Sequence, residues 1–129
     1  MPIRCLIVDD NPDFLEAARV FLERDGLTVA GMAGNGSEAL EQVEALRPDV
    51  ILLDITLGDE SGLDLAQRLS KDGAGERSTV VLISTRAEEE VADLVAESPA
   101  AGYLTKSELS ADAIRRLVGS EGASGRPGT

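Results

Sequence analysis

The sequence predicts an α/β domain: a doubly wound, five-stranded parallel sheet with five helices. Three observations predict it. Short apolar runs recur, most plainly Val50-Ile51-Leu52-Leu53 and Thr79 to Ile83, and unbroken β-branched and leucine runs of this length read as strands buried on both faces of a parallel sheet. Each run is followed by apolar residues at helical spacing. The connections between them are too short for anything but a parallel sheet wrapped on both sides.

Taken in order, Ile3 to Val8 is the first strand and stops at the acidic pair Asp9-Asp10. Asn11 followed by Pro12 starts a helix: the Asn side chain caps free backbone N–H groups, and proline suits the first helical position. Phe14, Leu15, Ala18, Phe21 and Leu22 then recur at helical spacing until Gly26 supplies a stop. Leu27 to Gly31 is a weaker strand of mixed polarity, expected nearer an edge. Asn35-Gly36-Ser37 turns into a second helix with Ala39, Leu40, Val43 and Leu46 on one face, closed by Pro48.

The third strand, Val50 to Leu53, ends at Asp54, and Ile55-Thr56-Leu57-Gly58 runs on into a loop. Ser61-Gly62 leads into a third helix carrying Leu63, Ala66 and Leu69 inward, and Asp72 to Glu76 is a loop by composition. The fourth strand ends at Ser84. Glu88-Glu89-Glu90 opens a fourth helix, where negative charge meets the N-terminal dipole, with Val91, Leu94 and Val95 expected to face the core and Pro99 to end it. Gly102 to Thr105 is a short fifth strand stopping at Lys106, and Ile114, Leu117 and Val118 mark the last helix. The domain is expected to span residues 1–118, with a flexible Gly/Ser/Pro-rich tail over 119–129.

The first, third and fourth strands are the most apolar and belong in the centre, which the flavodoxin-like strand order 2-1-3-4-5 satisfies. In that order Asp9, Asp10, Asp54, Ser84 and Lys106 meet at the carboxyl edge of the sheet, where ligands collect in open α/β folds.

Composition narrows the function. The net charge is −12 and the only adjacent basic residues are Arg115-Arg116, which argues against direct nucleic-acid contact. There is no histidine, so chemistry must run on carboxylates, hydroxyls and lysine. The single cysteine, Cys5, lies in an apolar run and reads as a core thiol in a reducing compartment. No stretch approaches a membrane span and no signal segment opens the chain, so a cytoplasmic location is expected.

Three clustered carboxylates repel one another unless a cation joins them, and few oxygen ligands plus waters is how Mg²⁺ is held. Such a metal would offset the charge of a phosphoryl group, with Lys106 neutralising another oxygen and Ser84 donating a hydrogen bond. Asp54 is then left as a nucleophile of aspartyl-phosphate type. Singly, Asp54 would be a turn residue, Ser84 a satisfied hydroxyl and Lys106 a solvated charge; their joint placement at successive strand ends argues otherwise.

Over residues 3 to 118 the chain resembles the receiver domains of bacterial two-component response regulators. The marks are Val8-Asp9-Asp10, Asp54 with Gly62 eight positions on, Ser84, and Gly102-Tyr103-Leu104-Thr105-Lys106. The resemblance implies Mg²⁺-dependent phosphotransfer from a histidine kinase or phosphotransfer protein onto Asp54. It implies Asp9, Asp10, Asp54 and the Thr56 backbone carbonyl as metal ligands, Lys106 as the salt-bridging lysine, and Ser84 and Tyr103 as the switch pair. The face of the fourth helix, fifth strand and fifth helix becomes the output surface; homodimerisation stays open.

Gly58 stands where the family commonly has proline, which predicts a more mobile loop; Thr85 stands where Ala or Gly is usual, and Ser107 where proline is frequent. The last absence, with Val29 to Ala33 and Ala100 to Leu104, is closest to receivers attached to helix-turn-helix transcription factors. The alternative is a degenerate receiver acting as a phosphorylation-independent interaction module. A turnover enzyme fits less well. Asp9-Asp10-Asn11 lacks the Asp-x-Asp spacing of haloacid-dehalogenase phosphatases, and acids replace the phosphate loop that a flavodoxin needs.

Overall fold

The computed structural model describes residues 3–71 and 78–124. The elements run β1 (Arg4–Val8), α1 (Pro12–Arg24), β2 (Thr28–Ala33), α2 (Gly36–Leu46), β3 (Val50–Asp54), β4 (Thr56–Leu57), β5 (Glu60–Ser61), α3 (Gly62–Lys71), β6 (Thr79–Ser84), α4 (Glu88–Glu97), β7 (Gly102–Thr105) and α5 (Ala111–Ser124). The main sheet has the order β2-β1-β3-β6-β7 with every pairing parallel. Counted along its five strands, this is the expected 2-1-3-4-5.

Alternation along the strands divides the core. Leu6 and Val8 of β1, Ile51 and Leu53 of β3, and Val80 and Leu82 of β6 pack with Ala39, Val43, Leu65, Ala66, Leu69 and Val91 from α2, α3 and α4. Their neighbours Cys5, Ile7, Val50, Leu52, Val81 and Ile83 pack on the other face with Ala18, Leu22 and Ile114 from α1 and α5. Every residue of β3 and β6 is buried, which is why these strands read as continuous apolar runs. Truncating one of them, as in Leu52→Ala, would cost about 2–5 kcal/mol through lost burial and the cavity left behind.

Local signals set the helix ends. Asn11 Oδ1 accepts from the backbone N–H groups of Asp13 (3.0 Å) and Phe14 (3.3 Å), and Asn35 caps α2 in the same way through Glu38 N at 2.9 Å. Gly26 has φ +98°, the left-handed conformation that stops a helix where a side chain would be strained.

Three expectations need correction. Ile55 to Gly58 is not plain loop, because β4 and β5 pair antiparallel as a small hairpin with Thr56 opposite Ser61 and Leu57 opposite Glu60. Leu94 does not face the core; it is 42 % exposed, because Val91 and Val95 already occupy the inward stripe one turn apart. Phe21 shares α1's helical spacing yet is 44 % exposed, the inward positions there being taken by Ala18 and Leu22. The last helix, α5, runs to Ser124. The loop expected at 72–76 and the last five residues lie outside the described residues.

Candidate functional site

β1, β3 and β6 lie side by side with Val8, Leu53 and Leu82 in register, so the residues that follow emerge together at one rim. The Asp9 backbone N–H donates to the Ala33 carbonyl (3.0 Å), prolonging the β1–β2 ladder and drawing the Asp9 side chain fully into the interior. Asp9 Oδ1 accepts from Asn11 N at 2.9 Å. Asp54 closes β3 opposite Ile83 and is buried, whereas Asp10 is exposed. One carboxylate oxygen from each of Asp9, Asp10 and Asp54 falls within 4.8 Å of the others.

Lys106 completes the group from β7. Its ammonium stands 2.6 Å from Asp9 Oδ2 and 3.3 Å from Asp54 Oδ2, and lies 4.3 Å from the centre of the Phe14 ring, within cation–π range. Burial alone would lower the Lys106 pKa, but the hydrogen bond and charge of Asp9 and the attraction of Asp54 together raise it above its ordinary value. Asp54 is raised too. Burial is the largest cause and the Asp9 charge adds to it, while the Thr56 N–H and Lys106 oppose it.

The β4–β5 hairpin shapes the other side. Thr56 N donates to Asp54 Oδ1 at 3.1 Å. Gly58 takes φ +58° at the turn and faces the Asp10 carboxylate, and the Glu60 carboxylate accepts from Gly36 N at 3.0 Å, tying the hairpin to the start of α2. Gly62 is obligatory, since a Cβ there would stand 1.9 Å from the Asp54 carbonyl oxygen. Gly58 thus supplies a backbone conformation proline cannot adopt.

Ser84, buried at the end of β6, accepts from Arg86 N through Oγ at 3.1 Å. The half-buried Tyr103 donates its hydroxyl to the Arg86 carbonyl, so both residues expected to form a switch hold the same segment after β6. The structure therefore brings Asp9, Asp10, Asp54 and Lys106 together directly, with Thr56 bonded to Asp54. Ser84 and Tyr103 are grouped through Arg86. Phe14, Glu60 and Glu108 were missed as contributors; only Glu108 had a sequence signal, Thr105 three residues before it in the S/T-x-x-E pattern.

The donor set suits a hard divalent cation, being all oxygen, with two of three carboxylates buried. Asp9 Oδ2 is the telling atom. It is fully buried, and the Lys106 ammonium lies against it at 2.6 Å, so one positive charge stands among the three clustered carboxylates. A single ammonium shared between Asp9 and Asp54 leaves the three-carboxylate cluster net negative, which a divalent cation would offset.

Fold and rim together define a class, a flavodoxin-like sheet with an acidic cluster and a lysine at its carboxyl edge. Residues 5–118 match the family model described as the response regulator receiver domain, and the chain belongs to that family. The nitrate/nitrite response regulator protein NarP of Escherichia coli K12 is 36 % identical over 118 residues, covering 88 % of this chain and 54 % of its own. The DNA-binding response regulator MtrA of Mycolicibacterium smegmatis is 34 % identical over 116 residues, covering 88 % and 48 %. Among solved structures, the signal receiver domain of a modulated diguanylate cyclase from Desulfovibrio desulfuricans G20 superposes with TM-score 0.75 at 30 % identity, over 93 % of each chain. A LuxR-family two-component response regulator from Aurantimonas sp. SI85-9A1 gives 0.78 at 25 %, over 93 % of this chain and 87 % of that one. The chain spans about half the length of the curated relatives it matches. No helix among the described residues is long and apolar enough to cross a membrane.

Proposed function

We propose that this receiver accepts a phosphoryl group on Asp54 from the phosphohistidine of a histidine kinase or phosphotransfer protein. An Asp54 oxygen forms a bond to phosphorus as the bond from phosphorus to the donor's imidazole nitrogen breaks, leaving an acyl phosphate on Asp54 and the histidine free. Asp9, Asp10, Asp54 and the Thr56 carbonyl would hold Mg²⁺, which when bound neutralises charge on the transferring group. Lys106 neutralises a further phosphoryl oxygen from the opposite side, and Thr56 N–H keeps the acceptor carboxylate oriented. The event is stoichiometric modification, not turnover.

The modified Asp54 attracts the Ser84 hydroxyl, whose oxygen accepts from Arg86 N and so carries the segment after β6 with it. Tyr103 holds the same segment through the Arg86 carbonyl, so the α4–β7–α5 face repacks and signals to a partner, a second copy being one option. The receiver unit is residues 1–118, followed by a Gly/Ser/Pro-rich stretch over 119–129, and the protein works in the cytoplasm without touching nucleic acid through this chain.

The observation that carries this reading is the convergence of three carboxylates within 4.8 Å beside one ammonium. Intact-mass spectrometry after acetyl phosphate and Mg²⁺ should show one added phosphoryl group on the wild type and none on Asp54→Asn. Label that persists in Asp54→Asn removes the assignment, and a wild type that stays unmodified where a control receiver is labelled favours a degenerate interaction module.

A further inference from the structure

Lys106 is the first residue beyond β7, and its reach to Asp9 and Asp54 depends on where its backbone is held. On one side the answer is the sheet, since Lys106 N donates to the Ser84 carbonyl at 2.8 Å. On the other side the chain leaves the sheet in a turn, Thr105-Lys106-Ser107-Glu108, that contains no proline to restrict it.

That turn is closed reciprocally. Glu108 N donates to the Thr105 carbonyl (2.9 Å) and to Thr105 Oγ1 (3.2 Å). The Glu108 carboxylate in turn accepts from Thr105 N (3.3 Å) and Thr105 Oγ1 (2.9 Å). This is the S/T-x-x-E reciprocity that caps helix starts, used here around a free-standing turn with the lysine inside it. The next residue, Leu109, is buried in the α1 side of the core, so the turn is pinned at both ends. The Lys106 side chain takes no part in the clasp and is free to lie over Phe14 and between the two carboxylates.

We infer that Glu108 is a positioning residue: by clasping Thr105 it fixes the Lys106 backbone so that the ammonium is preorganised over Asp54. The inference rests on the phospho-acceptor reading above. Glu108 is exposed, so its replacement leaves the core intact, and the role belongs to its acceptor oxygen, not its charge.

The test is the rate at which the full chain is labelled on Asp54 by acetyl phosphate with Mg²⁺, a small donor that needs no docking surface. Glu108→Ala should label about five-fold more slowly, the rate equivalent of about 1 kcal/mol. Thr105→Val, which removes the other half of the clasp, should do the same. Glu108→Gln, whose amide oxygen accepts the same bonds, should stay within about two-fold of wild type. In a Lys106→Ala background Glu108→Ala should slow labelling no further, because the two act through one group. Wild-type rates in Glu108→Ala and Thr105→Val would overturn the inference, and so would an undiminished slowing in the Lys106→Ala background. A wild type that takes no label at all overturns the acceptor reading itself, which is a different result.

Discussion

At the scale of single residues, burial decides which side chains are reactive. Asp9, Asp54 and Lys106 are drawn out of water together, so each carboxylate's environment is set by the others and by one ammonium. Cys5 is the contrasting case. It is fully buried in β1, and burial, reinforced by the charge of Asp49, pushes its thiol up to about 12 from 9.0. The folded state therefore holds this proton more tightly than the unfolded state. Stability is unaffected below pH 9 and falls as the pH rises above it, by about 1.4 kcal/mol per pH unit until the folded value is reached. Alkaline urea titrations should show this slope in the wild type and a shallower one in Cys5→Ala, and the native thiol should resist alkylation at pH 8. Rapid native alkylation would mean that β1 opens far more readily than its burial implies.

At the scale of elements, the β4–β5 hairpin is what converts a strand end into a site. Its first strand presents Thr56 to Asp54, its turn places Gly58 beside Asp10, and Glu60 anchors it to α2. The chain then folds back so closely that Gly62 N donates to the Ile55 carbonyl at 2.7 Å. Gly62→Ala has no room and should destabilise by more than about 3 kcal/mol, read from the urea midpoint, since backbone must move. Gly58→Ala meets only strain at positive φ and should cost about 1 kcal/mol. Equal costs at the two positions would contradict the hairpin geometry. The glycine pair is legible in the sequence but the strand pairing is not, because two-residue strands carry no periodicity.

At the scale of the whole molecule, a net charge of −12 is borne with two buried carboxylates at one rim, so a divalent cation should favour folding well beyond general screening. Magnesium at equal ionic strength should raise the thermal midpoint of the wild type above its value in sodium chloride, and the rise should be largely lost in Asp9→Asn. An equal rise in both would place the cation elsewhere.

The strands, their order and the residues at their ends were determined by the sequence alone, because a strand buried on both faces must be apolar throughout and must stop where a polar group appears. Asp54, Lys106, Asp9 and Asp10 could be named for that reason. Only the tertiary structure decided how they face one another: that Asp9 is the fully buried acid, that Lys106 spans two carboxylates over Phe14, and that Glu60 and Glu108 brace the loops around them. Those are contacts between residues 24 to 97 positions apart or between side chains across a turn, and no local pattern encodes distances that arise only when separate strands are brought side by side.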